Sequence, residues 1–137
     1  MDTDPRETLG DRAAQEPGDP RQALGRLGER LAAEHLERLG YRIVARNHRT
    51  RFGEIDLVAA DDETLVFCEV KTRRAGSGAP WEALDDRKRK QVRTMGAAWL
   101  VETHERPRTA ELRFDAVGVI VDARGALVEL VHLEGAF

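Results

Sequence analysis

The residues with the most chemical potential in this chain lie in one stretch, GEIDLVAADDETLVFCEVKTR, residues 53–73. Asp56 is followed thirteen residues later by Glu69 and, two further on, by Lys71, with apolar sequence around each. The simplest hairpin through this stretch uses Asp62 and Glu63 as a two-residue turn. It sets Asp56 opposite Glu69 and Glu54 opposite Lys71, and alternation puts all four on one face. The other face would carry Ile55, Leu57, Ala59, Val66, Cys68 and Val70, all apolar. Like charges directly opposed on paired strands sit ~5 Å apart and repel. A divalent cation held by Asp56 and Glu69 would offset that repulsion, because hard cations take carboxylate oxygens. Such an ion polarises a phosphate and lowers the pKa of water, which suits phosphodiester hydrolysis. Lys71 would then orient the attacking water or stabilise developing charge. A surface salt bridge of Lys71 with Glu69 or Glu54 is the competing account.

Several elements must position this cluster. Leu24, Leu27, Leu31, His35 and Leu39 recur at helical spacing, which predicts a helix over 21–39 with Gly40 as its stop. Gly28 falls within the apolar face, where close backbone packing is the reason to keep a glycine. Three strands follow, over 41–47, 54–60 and 64–72, and Gly53 serves a tight turn that presents Glu54 and Asp56. Residues 74–80 form a Gly-, Ser- and Pro-containing loop. A second helix runs over 86–103 with Asp85 as its N-cap. Two last strands cover 112–121 and 126–133, joined by a turn at 122–125. The order of helix, three strands, helix and two strands describes an α/β fold with a mixed sheet flanked by helices.

Between Glu37 and Glu54 there are no acids but five arginines, Arg38, Arg42, Arg46, Arg49 and Arg51. Such a stretch attracts phosphate, or it is simply a solvated strand edge. In the second helix Lys88 lies one turn before Val92 on the packing side, where it should seek a partner or a phosphate, whereas Lys90 points to solvent. Gln91 lies near the same end and offers a hydrogen bond. Trp81 either stacks on a base or packs beside the second helix. Trp99 is core, His35 is a satisfied packing-face histidine, and His104 and His132 lack metal-ligand spacing. Asp115 reads as structural, holding Arg113 or the first helix.

The 137 residues are enough for one domain, with 41% hydrophobic and 34% charged residues and a net charge of −3. That whole charge falls in the proline-rich first 24 residues, and residues 1–20 read as a disordered acidic tail before a domain over 21–137. No apolar run is long enough for a membrane span, and the N-terminus lacks the apolar region of a secretory signal. Cys68, the single cysteine, excludes a disulfide framework and a cysteine-based zinc site. It reads as a buried, inert thiol. The expected location is the cytoplasm.

GEIDLVA with EVKTR resembles the PD-(D/E)XK signature of restriction-endonuclease-like nucleases. The chain as a whole, over about residues 25–137, resembles the bacterial YraN family of that superfamily, through GRLGERLAAEHLERLGYRIVARNHR, GEIDLVA, EVKTR and RFDAV. Ile55 stands where the superfamily signature commonly has proline. The resemblance implies a restriction-endonuclease-like core, with Asp56 and Glu69 as ligands of Mg²⁺ or Mn²⁺ and Lys71 as the catalytic lysine. It also brings in Glu29 from the first helix. Arg46, Arg49, Arg73 and Lys88 are the candidate nucleic-acid contacts. The function so implied is metal-dependent hydrolysis of phosphodiester bonds in DNA, in branched or single-stranded substrates. The alternative is a non-catalytic nucleic-acid-binding module. The partners expected are a nucleic acid, DNA before RNA, and a protein of a DNA-processing complex, with homodimerisation left open.

Overall fold

The computed structural model describes residues 19–77 and 85–137. The elements are α1 (Pro20–Arg38), β1 (Arg42–Thr50), β2 (Gly53–Ala60), β3 (Thr64–Arg74), α2 (Asp86–Glu102), β4 (Glu111–Val121) and β5 (Leu127–Leu133). This is the expected α/β order. The acidic-tail assignment for residues before 19, the end of the 74–80 loop and Trp81 lie outside the described residues.

Local chemistry sets the helix ends. The Asp19 carboxylate accepts the Arg21 N–H at 2.9 Å and Pro20 occupies the first turn, so α1 starts one residue earlier than expected. Gly40, at φ +102°, ends it, and its N–H donates to the Glu37 carbonyl at 3.0 Å. Asp85 caps α2 as expected, its side chain accepting the Lys88 N–H at 2.9 Å.

The five strands form one sheet in the order β1-β2-β3-β4-β5. β1, β2 and β3 run as antiparallel hairpins, while β3 and β4 are parallel because α2 carries the chain across. β5 returns antiparallel on β4. Each helix covers one face. Under α1 lie Leu57, Ala59, Val66, Cys68, Val70 and the alternate valines of β4. Under α2, against its Val92, Met95 and Trp99, lie Ile55, Val58, Ala60, Leu65 and Phe67. Gly28 is where α1 touches the sheet: a Cβ there would collide with the Thr72 side chain, so the glycine lets the helix sit on β3. Cys68 is buried and unpaired, and burial pushes its thiol pKa well up.

The β2–β3 turn is the expected one. Leu57 to Ala60 pair with Cys68 to Leu65, and the Asp61 carboxylate accepts the N–H groups of Glu63 and Thr64 at 2.9 and 2.8 Å. One expectation fails here. Ile55 belongs to the α2 layer and Leu57 to the α1 layer, so alternation breaks at Asp56 and the single all-apolar face does not exist. The ladder stops at Leu57–Cys68, and Asp56 and Glu69 are not ladder partners. Instead the Asp56 carboxylate accepts the Val70 N–H at 2.7 Å. A side chain thus takes over the bond that a regular strand would have made with its backbone.

Candidate active site

The break at Asp56 opens a mouth between β2 and β3, with α1 on one side and the start of α2 on the other. Gly53, at φ +136°, makes the β1–β2 turn that leads into it. A Cβ at Gly53 would crowd Met95 and Gln91, and the Gln91 amide donates to the Phe52 carbonyl at 3.1 Å. So α2 fixes the turn from which Glu54 and Asp56 project.

Carboxylate oxygens of Glu29, Glu54 and Asp56 lie within 4.8 Å of one another. Asp56 is partly buried, and burial is the main cause that pushes its pKa up to about 8, with the charges of Glu69, Glu29 and Glu54 adding to it. The Val70 N–H opposes this without cancelling it. Burial also raises Glu29, with the Asn47 amide acting against it and the Glu54 charge with it. Asn47 is the one non-glycine residue at positive φ (51°) among the described residues. It sits across from Asp56, since its neighbours Arg46 and His48 pair with Leu57 and Ile55.

Glu69 lies near enough to Asp56 for its charge to act on it, and it meets α2. It is buried, and its Oε2 lies 3.1 Å from Lys88 Nζ and 3.7 Å from Lys71 Nζ. Of the two roles expected for Lys88, a partner or a phosphate, the structure shows a partner: it bridges α2 to β3 through Glu69. Lys71 keeps a side chain about one-third exposed at the mouth.

The remaining candidates divide. Arg46 and Arg49 are exposed on β1, and Arg49 makes only a loose 3.9 Å pair with Glu54. Arg73 is half-buried and donates to the neighbouring Thr72 carbonyl at 3.1 Å. Of the candidate site residues, then, Asp56 and Glu29 come together, Glu69 and Lys71 adjoin them, and Lys88 supports Glu69 from behind. Glu54 was grouped with the cluster but not proposed as a ligand. Its spacing of two from Asp56 was the available signal.

Asp115 serves the fold. It is fully buried and accepts two bonds from Arg113 at 2.8 and 2.9 Å, one from His132 Nε2 at 2.8 Å and one from the Gly135 N–H at 3.0 Å. Burial acts to raise its pKa, but the bonds from His132, Arg113 and Gly135 outweigh it and hold the carboxylate below its ordinary value. His132 Nδ1 in turn lies 3.1 Å from His35 Nε2 on α1, so His35 is satisfied as expected.

A sequence profile described as uncharacterised protein family UPF0102 matches residues 28–119, which contain Glu29, Glu54, Asp56, Glu69, Lys71 and Lys88. The chain belongs to this family. It is the YraN family that the motifs resemble. A UPF0102 protein of Acidothermus cellulolyticus is 50% identical over 127 residues, spanning 85% of this chain and 95% of its own length. One from Parafrankia is 47% identical over 117 residues, spanning 85% and 97%. A third, from Pelotomaculum thermopropionicum, is 40% identical over 121 residues, spanning 87% and 98%. The UPF0102 chain thus matches these relatives over nearly their whole length. No helix among the described residues is long and apolar enough to cross a membrane.

Proposed function

We propose that this UPF0102 protein is a metal-dependent nuclease that hydrolyses phosphodiester bonds in branched or single-stranded DNA. The observation that carries this reading is the convergence of Glu29, Glu54 and Asp56 where the β2–β3 ladder ends, with Glu69 near Asp56 and Lys71 on Glu69. The donor set fits a hard divalent cation: three carboxylates offer oxygens at mutual reach, and Asp56 holds a charge that burial and its neighbours penalise. Mg²⁺ or Mn²⁺ held there by Glu29, Glu54 and Asp56 would supply polarisation of a phosphate. The chain's own residues do the rest. Val70 fixes the Asp56 carboxylate through its N–H. Glu69, clamped by Lys88, keeps Lys71 at the mouth, where its ammonium can orient water or meet charge developing on phosphate.

The test is cleavage by purified protein of flapped, branched and single-stranded DNA with Mg²⁺ or Mn²⁺. Cleavage is expected, abolished by EDTA and by Lys71→Ala. Equal background from wild type and Lys71→Ala on every substrate overturns the reading. One observation favours a second reading, a binding module without turnover: Glu69, which the motif makes a metal ligand, is occupied by two lysines. DNA binding with no metal-dependent cleavage would select it.

A further inference from the structure

Beside the carboxylates lies a cleft of about 550 Å³ whose walls are α1 and the β1–β2 hairpin. Gln22, Gly25, Arg26 and Glu29 form one wall, a single stripe of α1 at helical spacing. Asn47, Arg49 and Glu54 form the other. Two arginines therefore face across a slot that contains the carboxylates Glu29 and Glu54. Arg26 makes no ion pair among the described residues, and Arg49 makes only the 3.9 Å pair with Glu54.

Gly25 is the residue that the fold does not explain. A glycine inside a helix is destabilising relative to alanine. Gly28, three residues on, is accounted for by its contact with Thr72. At Gly25 the backbone is helical, and a Cβ would meet nothing within 4 Å among the described residues. Neither conformation nor packing calls for glycine there. Gly25 lines the cleft, and the missing side chain leaves the helix backbone there open to close approach by a ligand.

We propose that this cleft receives one strand of DNA, its sugar–phosphate backbone laid along Gly25 and its phosphates held between Arg26 and Arg49. The proposal rests on the nuclease reading above, which it extends to a substrate class and a path. The path leads directly to the carboxylates: Arg26 and Glu29 are neighbours on one helix stripe, as Arg49 and Glu54 are paired across the β1–β2 hairpin. The slot favours a single strand. A duplex needs a long basic face that neutralises many phosphates, whereas this cleft presents two cations, Arg26 and Arg49.

The experiment measures binding of a fluorescent single-stranded oligonucleotide and the matching duplex across a salt series, with Ca²⁺ present to fill the carboxylate site. Wild type should prefer the single strand. Arg26→Gln and Arg49→Gln should each weaken binding roughly five- to tenfold and flatten the logarithmic salt slope by about 0.7. Arg38→Gln removes the same charge twelve residues along α1, about 18 Å away, and should change neither. Gly25→Glu should abolish binding while leaving the melting temperature intact, since the space is open. Gly25→Ala should raise the melting temperature and still weaken binding, a combination that a purely structural glycine would not give. The inference is overturned if wild type binds but Gly25→Glu binds equally well, if Arg26→Gln matches Arg38→Gln, or if the duplex binds as tightly as the single strand. If wild type binds neither DNA, the nuclease reading falls with it.

Discussion

The protein alone compensates the ionised form of Asp56 poorly. The surroundings of Asp56 are a partly buried mouth, one N–H bond and three other carboxylates. Asp56→Asn keeps an oxygen for the Val70 N–H and removes the charge. The variant is therefore expected to be more stable than wild type near neutral pH without metal, by at least the 0.2–1 kcal/mol (roughly) typical of opposed strand charges. Millimolar Mn²⁺ should raise the melting temperature of wild type by mass action and that of the variant much less. If Asp56 were simply a salt-bridge partner, the variant would melt lower and the metal would make no difference. Glu54→Gln separates the ligand sets: a reduced Mn²⁺ response in that variant places the ion with Glu29 and Asp56, and an unchanged response moves it towards Glu69.

At the scale of elements, two devices hold the site in place, and each can be broken singly. Gly28 lets α1 lie on β3, so Gly28→Ala forces its Cβ into Thr72 and should cost about 1–3 kcal/mol, the usual range for overpacking. Opposite signs for alanine at Gly25 and Gly28, read by thermal melts, would separate the ligand-facing glycine from the packing one. Arg113 and His132 hold the fully buried Asp115, tying β4 to β5 and, through His35, to α1. Arg113→Leu leaves that carboxylate short of its main partner and should cost on the order of 3 kcal/mol; a denaturant curve displaced by under about 1 kcal/mol would refute this. The elements themselves were legible because their signals are local: the helical spacing of Leu24 to Leu39, the cap at Asp85, the turn at Asp62 and Glu63. The site was legible only as far as its residue types. Strict alternation predicts one face for Glu54, Asp56 and Glu69, and the break at Asp56, which moves Ile55 into the α2 layer, has no marker in a period-two pattern. Lys88 could be recognised as needing a partner. That its partner is Glu69 depends on where the α2 crossover lands on β3, a long-range distance that spacing does not encode.

The whole molecule combines opposing titrations, and this fixes how its stability should follow pH. Asp56 has a folded pKa of about 8 against an ordinary 3.8, so the native state holds that proton more tightly than the unfolded chain. The resulting stability is fully present below about pH 4 and is lost as pH rises towards 8, at no more than about 1.4 kcal/mol per pH unit. His35 acts in the other direction. Burial chiefly, then the charges of His132 and Arg38, lower its pKa from 6.5, so its contribution is present above 6.5 and is lost as pH falls below that value. Asp115, held below 3.8, costs stability only at still lower pH. The metal-free protein is therefore expected to be most stable on the acid side of neutrality and to weaken between about pH 6 and 8. Asp56→Asn should lose that alkaline decline and keep the acid one. Mg²⁺ should flatten the decline in wild type, because a bound cation favours the ionised carboxylates. Melting curves at about pH 5, 6, 7 and 8, for wild type and Asp56→Asn, in EDTA and in Mg²⁺, test all of this together. Parallel profiles for the two proteins in EDTA would show that Asp56 ionises without penalty. The strain that a divalent cation is proposed to relieve would then be absent from the site.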